Sequence, residues 1–239
     1  MEFNEFKEKM IINVDKLGIE LTEIQVKQFY NYMNLLIEWN QKINLTTIIE
    51  PEEIILKHFV DSLTISKYIP LGTKLIDVGT GAGFPGIPLK IVRQDIDITL
   101  LDSLQKRINF LDIVISELKL EKIVTIHSRV EDFGKNKKYR EKYDIATSRA
   151  VANLSTLSEY LLPLVKVGGK VVSMKGSLIE DELENSKTAI KILGGQIEKV
   201  DEFELPDTDI KRNVVLINKI ENTPNKYPRK AGEPSKKPL

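Results

Sequence analysis

A chain of 239 residues suits one large domain, or one domain with a small extension. Lys plus Arg and Asp plus Glu stand at 35 each, so overall charge draws in neither nucleic acid nor an acidic substrate, and any such attraction must come from a local patch. Cysteine is absent, which excludes disulfides, thiolate zinc sites, iron–sulfur clusters and a cysteine nucleophile. Hydrophobic residues make up 41%, enough for a real core. No apolar run reaches the roughly 18 residues of a membrane span. The opening MEFNEFKEKM is charged and amphipathic rather than a leader peptide, so a cytoplasmic protein without membrane or metal is expected.

Helical signals come first. Phe3 to Leu17 carries apolar residues at helical spacing and stops at Gly18, a good left-handed cap. Thr22 and Gln25 form a capping box, after which Phe29, Tyr32, Met33, Leu36 and Ile37 mark a buried stripe. Pro51, followed by Glu52 and Glu53, starts a third helix. Residues 1–70 therefore read as a helical cap.

From Lys74 short apolar runs alternate with amphipathic stretches. Strands are expected at Lys74–Val78, Ile96–Leu101, Ile123–His127, Asp144–Ser148 and Lys170–Met174, with helices near Ile87–Arg93, Leu104–Leu118, Leu154–Val165 and Glu180–Leu193. This alternation predicts an α/β fold, a doubly wound and mostly parallel sheet with helices on both faces. Gln196–Glu204 and Arg212–Lys219, joined by a short polar turn, read as an antiparallel pair at its end. The core would span 71–220. Residues 221–239 contain four prolines and, counting Lys219, six Lys/Arg against two Glu, a local charge of about +4. By composition alone this is a disordered basic tail.

The strongest local signal is LIDVGTGAGFPG, Leu75 to Gly86. A strand ends at Asp77, a turn carries Gly79, Gly81 and Gly83, and a helix is expected to open near Phe84. Such a turn brings backbone close to a nucleotide-like ligand, with Asp77 able to anchor a polar group. GAGFPG also satisfies the dinucleotide pattern, and Asp102 ends the next strand where an acid takes ribose hydroxyls of either NAD or S-adenosylmethionine. Three features favour the methyl donor: glycines two apart directly after Asp77, an antiparallel strand pair closing the sheet, and no second region fit for hydride transfer.

Absences then narrow the acceptor. Methylating carbon 5 of a pyrimidine requires a cysteine nucleophile, and there is none. Exocyclic adenine amines are served by an Asn/Asp-Pro-Pro-aromatic turn, but the corresponding segment here is SRAVAN, Ser148 to Asn153. A ring nitrogen with a free lone pair needs only in-line positioning and electrostatic support, with no catalytic base. A small-molecule methyltransferase and a non-catalytic nucleotide-binding module are the alternatives.

Several segments together are more specific. LLIEWNQKINLTTI (Leu35–Ile48), LKHFVDSL (Leu56–Leu63), IDVGTGAGFPGIPLKI (Ile76–Ile91), LLDSLQKRINFL (Leu100–Leu111), TSRAVANL (Thr147–Leu154) and YPRKAGEPSKKPL (Tyr227–Leu239) resemble the RsmG (GidB) family nearly end to end. These are bacterial methyltransferases that modify guanine N7 in 16S ribosomal RNA of the small subunit. The resemblance implies a Rossmann-like class I methyltransferase, S-adenosylmethionine as donor, 16S rRNA or the small subunit as partner, and a tail packed on the core. It places Gly79 and Phe84 at the donor, Asp102 near the ribose, and Val130 with Glu131 near the adenine. Arg149 would face the methionine carboxylate or a substrate phosphate. A monomer is expected.

Other residues read more plainly. His58 and Asp61 form a hydrogen-bonded structural pair, since no third ligand is evident. His127 belongs to a buried strand, and Trp39 to packing. Lys135, Lys137, Lys138, Arg140 and Lys142 form a solvated loop. Arg229, Lys230, Lys236 and Lys237, with Lys175 and Arg212, are the candidate RNA contacts.

Overall fold

The computed structural model describes residues 1–149, 152–176 and 179–239. Two helices open the chain, α1 (Phe3–Asp15) and α2 (Glu23–Asn40). The turn after α1 closes on Gly18, in the left-handed region at φ 69°. The capping box of α2 forms in both directions: the Gln25 N–H donates to the Thr22 hydroxyl, and the Thr22 N–H to the Gln25 side-chain carbonyl. α3 (Pro51–Ile54) runs without a break into a π-helical turn, Ile55–Val60, and then α4 (Asp61–Leu63). π turns are rare and gather at functional sites.

The alternating region follows: β1 (Lys74–Val78), α5 (Gly86–Val92), β2 (Asp97–Asp102), α6 (Gln105–Glu117), β3 (Ile123–His127), α7 (Val130–Lys135), β4 (Tyr143–Arg149), α8 (Leu154–Leu161), β5 (Val165–Lys175), α9 (Glu180–Ile192), β6 (Gly195–Glu204) and β7 (Lys211–Lys219). A last turn of helix, α10 (Glu233–Lys236), lies in the tail. The seven strands form one sheet in the order β3-β2-β1-β4-β5-β7-β6. All neighbours are parallel except β7, which inserts antiparallel between β5 and β6.

Successive residues of each strand point to opposite faces, and the apolar side chains accordingly divide into two clusters. Leu75, Leu100, Val172 and Leu216 join Phe6, Phe29, Tyr32, Phe59 and the inner sides of α5 and α6. Ile76, Leu101, Val171 and Val215 join Phe133, Leu157, Leu161, Ile190 and Tyr227. The helices of residues 1–70 thus share their apolar core with one face of the sheet.

Five expectations need correction here. The helix after the glycine loop opens at Gly86, not Phe84, because Gly83, Phe84 and Pro85 continue the turn. α7 was not anticipated. His127 is exposed, because β3 is the sheet's edge. The tail follows a definite path: Tyr227, Pro228 and Pro234 are buried. Arg140 also leaves the solvated run, since its guanidinium donates to the carbonyls of Gly134, Tyr227 and Thr223. Trp39 packs as expected, against Phe110 at 6.0 Å between centroids.

Candidate functional site

The strand order reverses between β1 and β4, and in open α/β sheets ligands bind beyond the carboxyl ends of the strands at such a switch point. A cavity of about 540 Å³ opens there. Its walls come from the ends of the first four strands: Val78 and the glycine loop after β1, Leu101 and Asp102 at β2, Ser128 to Glu131 after β3, and Arg149 at β4. Thr46 and His58 from the helical segment and Gly232 and Ser235 from the tail complete it.

The glycine loop is shaped from below by Asp77. This carboxylate is fully buried, and one of its oxygens accepts the Thr80 hydroxyl at 2.7 Å and the Gly86 N–H at 2.9 Å. Its other oxygen has no partner among the described residues. Burial pushes the Asp77 carboxyl up to about 6, against the hydrogen bonds and the Arg149 charge that pull it down. Asp77 and Gly83 lie beneath the cavity rather than on its wall. A Cβ on Gly83 would meet the Tyr32 hydroxyl at 2.6 Å, so that glycine admits the helical segment. Gly81 differs: φ is 62°, and the nearest atom to a Cβ is the Gly79 carbonyl at 4.0 Å. Here the backbone itself faces open space.

Asp102 is buried and sits at the cavity wall. One oxygen accepts the Gly81 N–H at 2.9 Å and the Arg107 guanidinium at 3.3 Å, and the other accepts the Leu104 N–H at 2.9 Å, which fixes the carboxylate in place and leaves the second oxygen with a free lone pair. Val130 and Glu131 begin α7, whose first turn favours acids. Glu131 is buried, and one of its oxygens accepts the Gly232 N–H from the tail at 2.8 Å.

Arg149 brings positive charge to the same cavity. Its guanidinium donates to the Lys57 carbonyl at 2.9 Å, to Asp61 at 3.1 Å and to His58 Nδ1 at 3.1 Å, and lies 4.9 Å from the Phe84 ring centroid. The His58 ring stacks on Phe84 with centroids 4.4 Å apart. Burial, and then the Arg149 charge, push His58 down to about 3, so the ring stays neutral throughout the physiological range. Asp61 takes Arg212 on its other oxygen at 3.0 Å. His58 and Asp61 are thus joined through Arg149 rather than to each other, a correction to the expected direct pair.

Of the residues singled out by sequence, Gly79, Gly81, Phe84, Asp102, Val130, Glu131 and Arg149 share the cavity wall. The wall also includes Thr46, His58, Tyr160, Gly232 and Ser235, which the sequence reading had not assigned to a site. The INLTT and AGEPS segments were the signals available. Arg229, expected to contact phosphates, is instead clasped by the fully buried Glu159 through Nε and Nη2 at 2.6–3.1 Å. Lys175 pairs with Glu182 at 2.6 Å. Within SRAVAN, Ala150 and Val151 lie outside the described residues. Among the described residues no group of three His, Asp or Glu is placed to hold a metal, and no helix is long and apolar enough to cross a membrane.

Solved structures with this fold include a SAM-dependent O-methyltransferase from Thermotoga maritima, TM-score 0.54 at 13% identity over 79% of this chain and 72% of that one. Another is a SAM-dependent methyltransferase from Aquifex aeolicus, TM-score 0.53 at 16% identity over 76% and 97%. Such identities establish the fold alone. Sequence relatives are much closer. The ribosomal RNA small subunit methyltransferase G of Acetivibrio thermocellus is 55% identical over 231 residues, covering 96% of this chain and 95% of its own. That of Clostridium novyi is 52% identical over 233 residues, covering 96% of each. The family profile described as GidB, rRNA small subunit methyltransferase G, matches residues 25–215. With the expected fold, the switch-point cavity and this near-complete likeness in agreement, the chain belongs to the rRNA small subunit methyltransferase G family.

Proposed function

We propose that this protein transfers a methyl group from S-adenosylmethionine to N7 of a guanine in 16S ribosomal RNA of the small subunit. The observation that carries this reading is a switch-point cavity with Asp102 at the end of β2, Glu131 in the first turn of α7 and, among the described residues, no free histidine on the wall. His58, the histidine on its wall, is held neutral with both ring nitrogens engaged. Guanine N7 has no proton to lose, so positioning and electrostatic support suffice.

The residues present fit the donor. Gly79 and Gly81 offer bare backbone, with open space beside Gly81. Asp102 would accept the ribose hydroxyls, Val130 and Glu131 would meet the adenine, and Phe84 would line the donor pocket from the glycine loop. Arg149 would face the methionine carboxylate. Asp77 and Gly83 act one layer below, shaping the loop. When bound, the donor supplies an electrophilic methyl on a sulfonium, and the protein's part is to hold that methyl in line with N7 and to exclude water.

Incubating the protein with methyl-labelled donor and small subunits, naked rRNA or nucleoside metabolites tests the reading. Label confined to guanine N7 of the rRNA is expected, and label in a small molecule alone would overturn it. The single-turnover rate, corrected for binding, should be flat between about pH 7 and 9, above the Asp77 titration. A steep rise there would reveal a proton-removing group. Gly81→Val places a branched side chain at φ 62°, and calorimetry should find donor affinity lost in a protein whose circular dichroism is unchanged.

A further inference from the structure

Thr46 belongs to the INLTT segment, and nothing above gives it a task. It sits in the loop after α2 and lines the cavity beside Leu45 and His58. The loop is built to hold it. The Asn40 side-chain carbonyl accepts the Leu45 and Thr46 N–H groups at 2.7 and 2.9 Å.

The surroundings dictate which way the Thr46 hydroxyl works. Arg149 can only donate, so His58 Nδ1, 3.1 Å from its guanidinium, must carry the ring's lone pair. The proton of the neutral ring is then on Nε2, which faces the Thr46 hydroxyl oxygen at 2.9 Å and donates to it. The Ile48 N–H donates to the same oxygen at 3.0 Å. Both lone pairs of that oxygen are therefore occupied. Its hydrogen has no acceptor among the described residues. A hydroxyl is ordinarily indifferent to whether its partner gives or takes a proton, but this one can only give.

We propose that Thr46 is a specificity residue that donates its hydroxyl hydrogen to the guanine O6, and so selects guanine over adenine. The inference rests on the reading of the site as a guanine-N7 methyltransferase. N7 and O6 of guanine are neighbouring acceptors on one edge, whereas adenine presents an amino donor in place of O6. An obligate donor matches the first and opposes the second. The relay that enforces this direction runs from Asp61 through Arg149 and His58, so Arg149 and His58 are positioning residues for the hydroxyl, and Thr46 is the group that touches the base.

The experiment is a double comparison on small subunits reconstituted with rRNA bearing guanine or 2-aminopurine at the position methylated by the wild type. 2-Aminopurine is guanine without O6. Thr46→Val removes the hydroxyl and keeps the shape, and Thr46→Ser keeps the hydroxyl. With guanine, Thr46→Val should lower single-turnover methylation about tenfold, the equivalent of one hydrogen bond. With 2-aminopurine the same substitution should change nothing, Thr46→Ser should behave as wild type on both, and donor affinity by calorimetry should stay within about twofold. Equal losses on both bases, or no loss on either, would overturn the proposal. Lost donor affinity would overturn it too and assign the hydroxyl to the methionine carboxylate. If the wild type places no label on guanine N7, the underlying reading fails and the proposal falls with it; label in the wild type with no Thr46 effect defeats the proposal alone.

Discussion

Residues 1–70 and 221–239 each cover a face of the same sheet, and they are held by opposite means. The N-terminal helices bind through volume: Phe6, Phe29, Tyr32 and Phe59 are buried in one continuous cluster with the strands, and Phe29 and Tyr32 each pack on Phe59 with centroids 5.1 and 5.3 Å apart. The tail contributes few apolar residues and binds through charge. Glu159 holds Arg229, Arg140 donates to the carbonyls of Thr223 and Tyr227, and the buried Lys219 at the end of β7 donates to the Thr223 hydroxyl and pairs at 3.4 Å with Glu141, which accepts the Thr223 N–H at 2.8 Å. An apolar interface degrades gradually as methylenes are removed. A charged one fails at single positions, because a buried ion without its partner is far worse than no ion.

The sharpest way to break this contrast is Arg229→Met. It leaves the Glu159 carboxylate, with a side chain 0% exposed, without its guanidinium, and the loss should be about 3–5 kcal/mol. Native-state hydrogen exchange should show the tail opening first, and an unchanged tail would mean that packing alone holds it. Phe29→Leu, on the other face, should cost about 1–2 kcal/mol in urea unfolding and spread over the whole cluster.

Lys219 gives a pH signature that the apolar face cannot produce. Burial pulls its ammonium down to about 8 from 10.5. Between those values the unfolded chain binds the proton and the folded one does not, so stability rises with pH across that window. Relative to Lys219→Met, the wild type should gain up to about 1.4 kcal/mol per pH unit from pH 8 to 10.5, and a falling difference would contradict the burial. The smallest effect concerns the exposed Lys230, Lys236 and Lys237. Replacing all three with Gln should leave stability alone and lower the salt slope of RNA binding by just under one unit per lost phosphate contact. An identical slope would move the RNA footprint to another surface.

The same contrast explains what could be read from sequence. Strand positions and the β1 glycine loop were legible because apolar runs and positive-φ glycines are local signals, and the Thr22 capping box is written in four consecutive residues. α7 escaped because it has only six residues and ends at Gly134 and Lys135, too short for an apolar period to show. His127 was misjudged because an apolar run does not say whether its strand has a neighbour on both sides. Composition alone made the tail look disordered because Arg229 and Glu159 are 70 residues apart, and no local pattern pairs them. In the cavity, the meeting of Asp102, Glu131 and Arg149 on one wall followed from their places at or just after strand ends, whereas Thr46 and Gly232 reach it from segments whose direction only the fold supplies.

The Gly232 contact with Glu131 has a bearing on biosynthesis. Translation is vectorial, and the sheet with its glycine loop is synthesised well before the residues that supply Gly232 and Ser235 to the cavity wall. Of the segments that line the cavity, the one carrying Gly232 and Ser235 is made last, so the wall is finished only when the tail folds back onto Glu131.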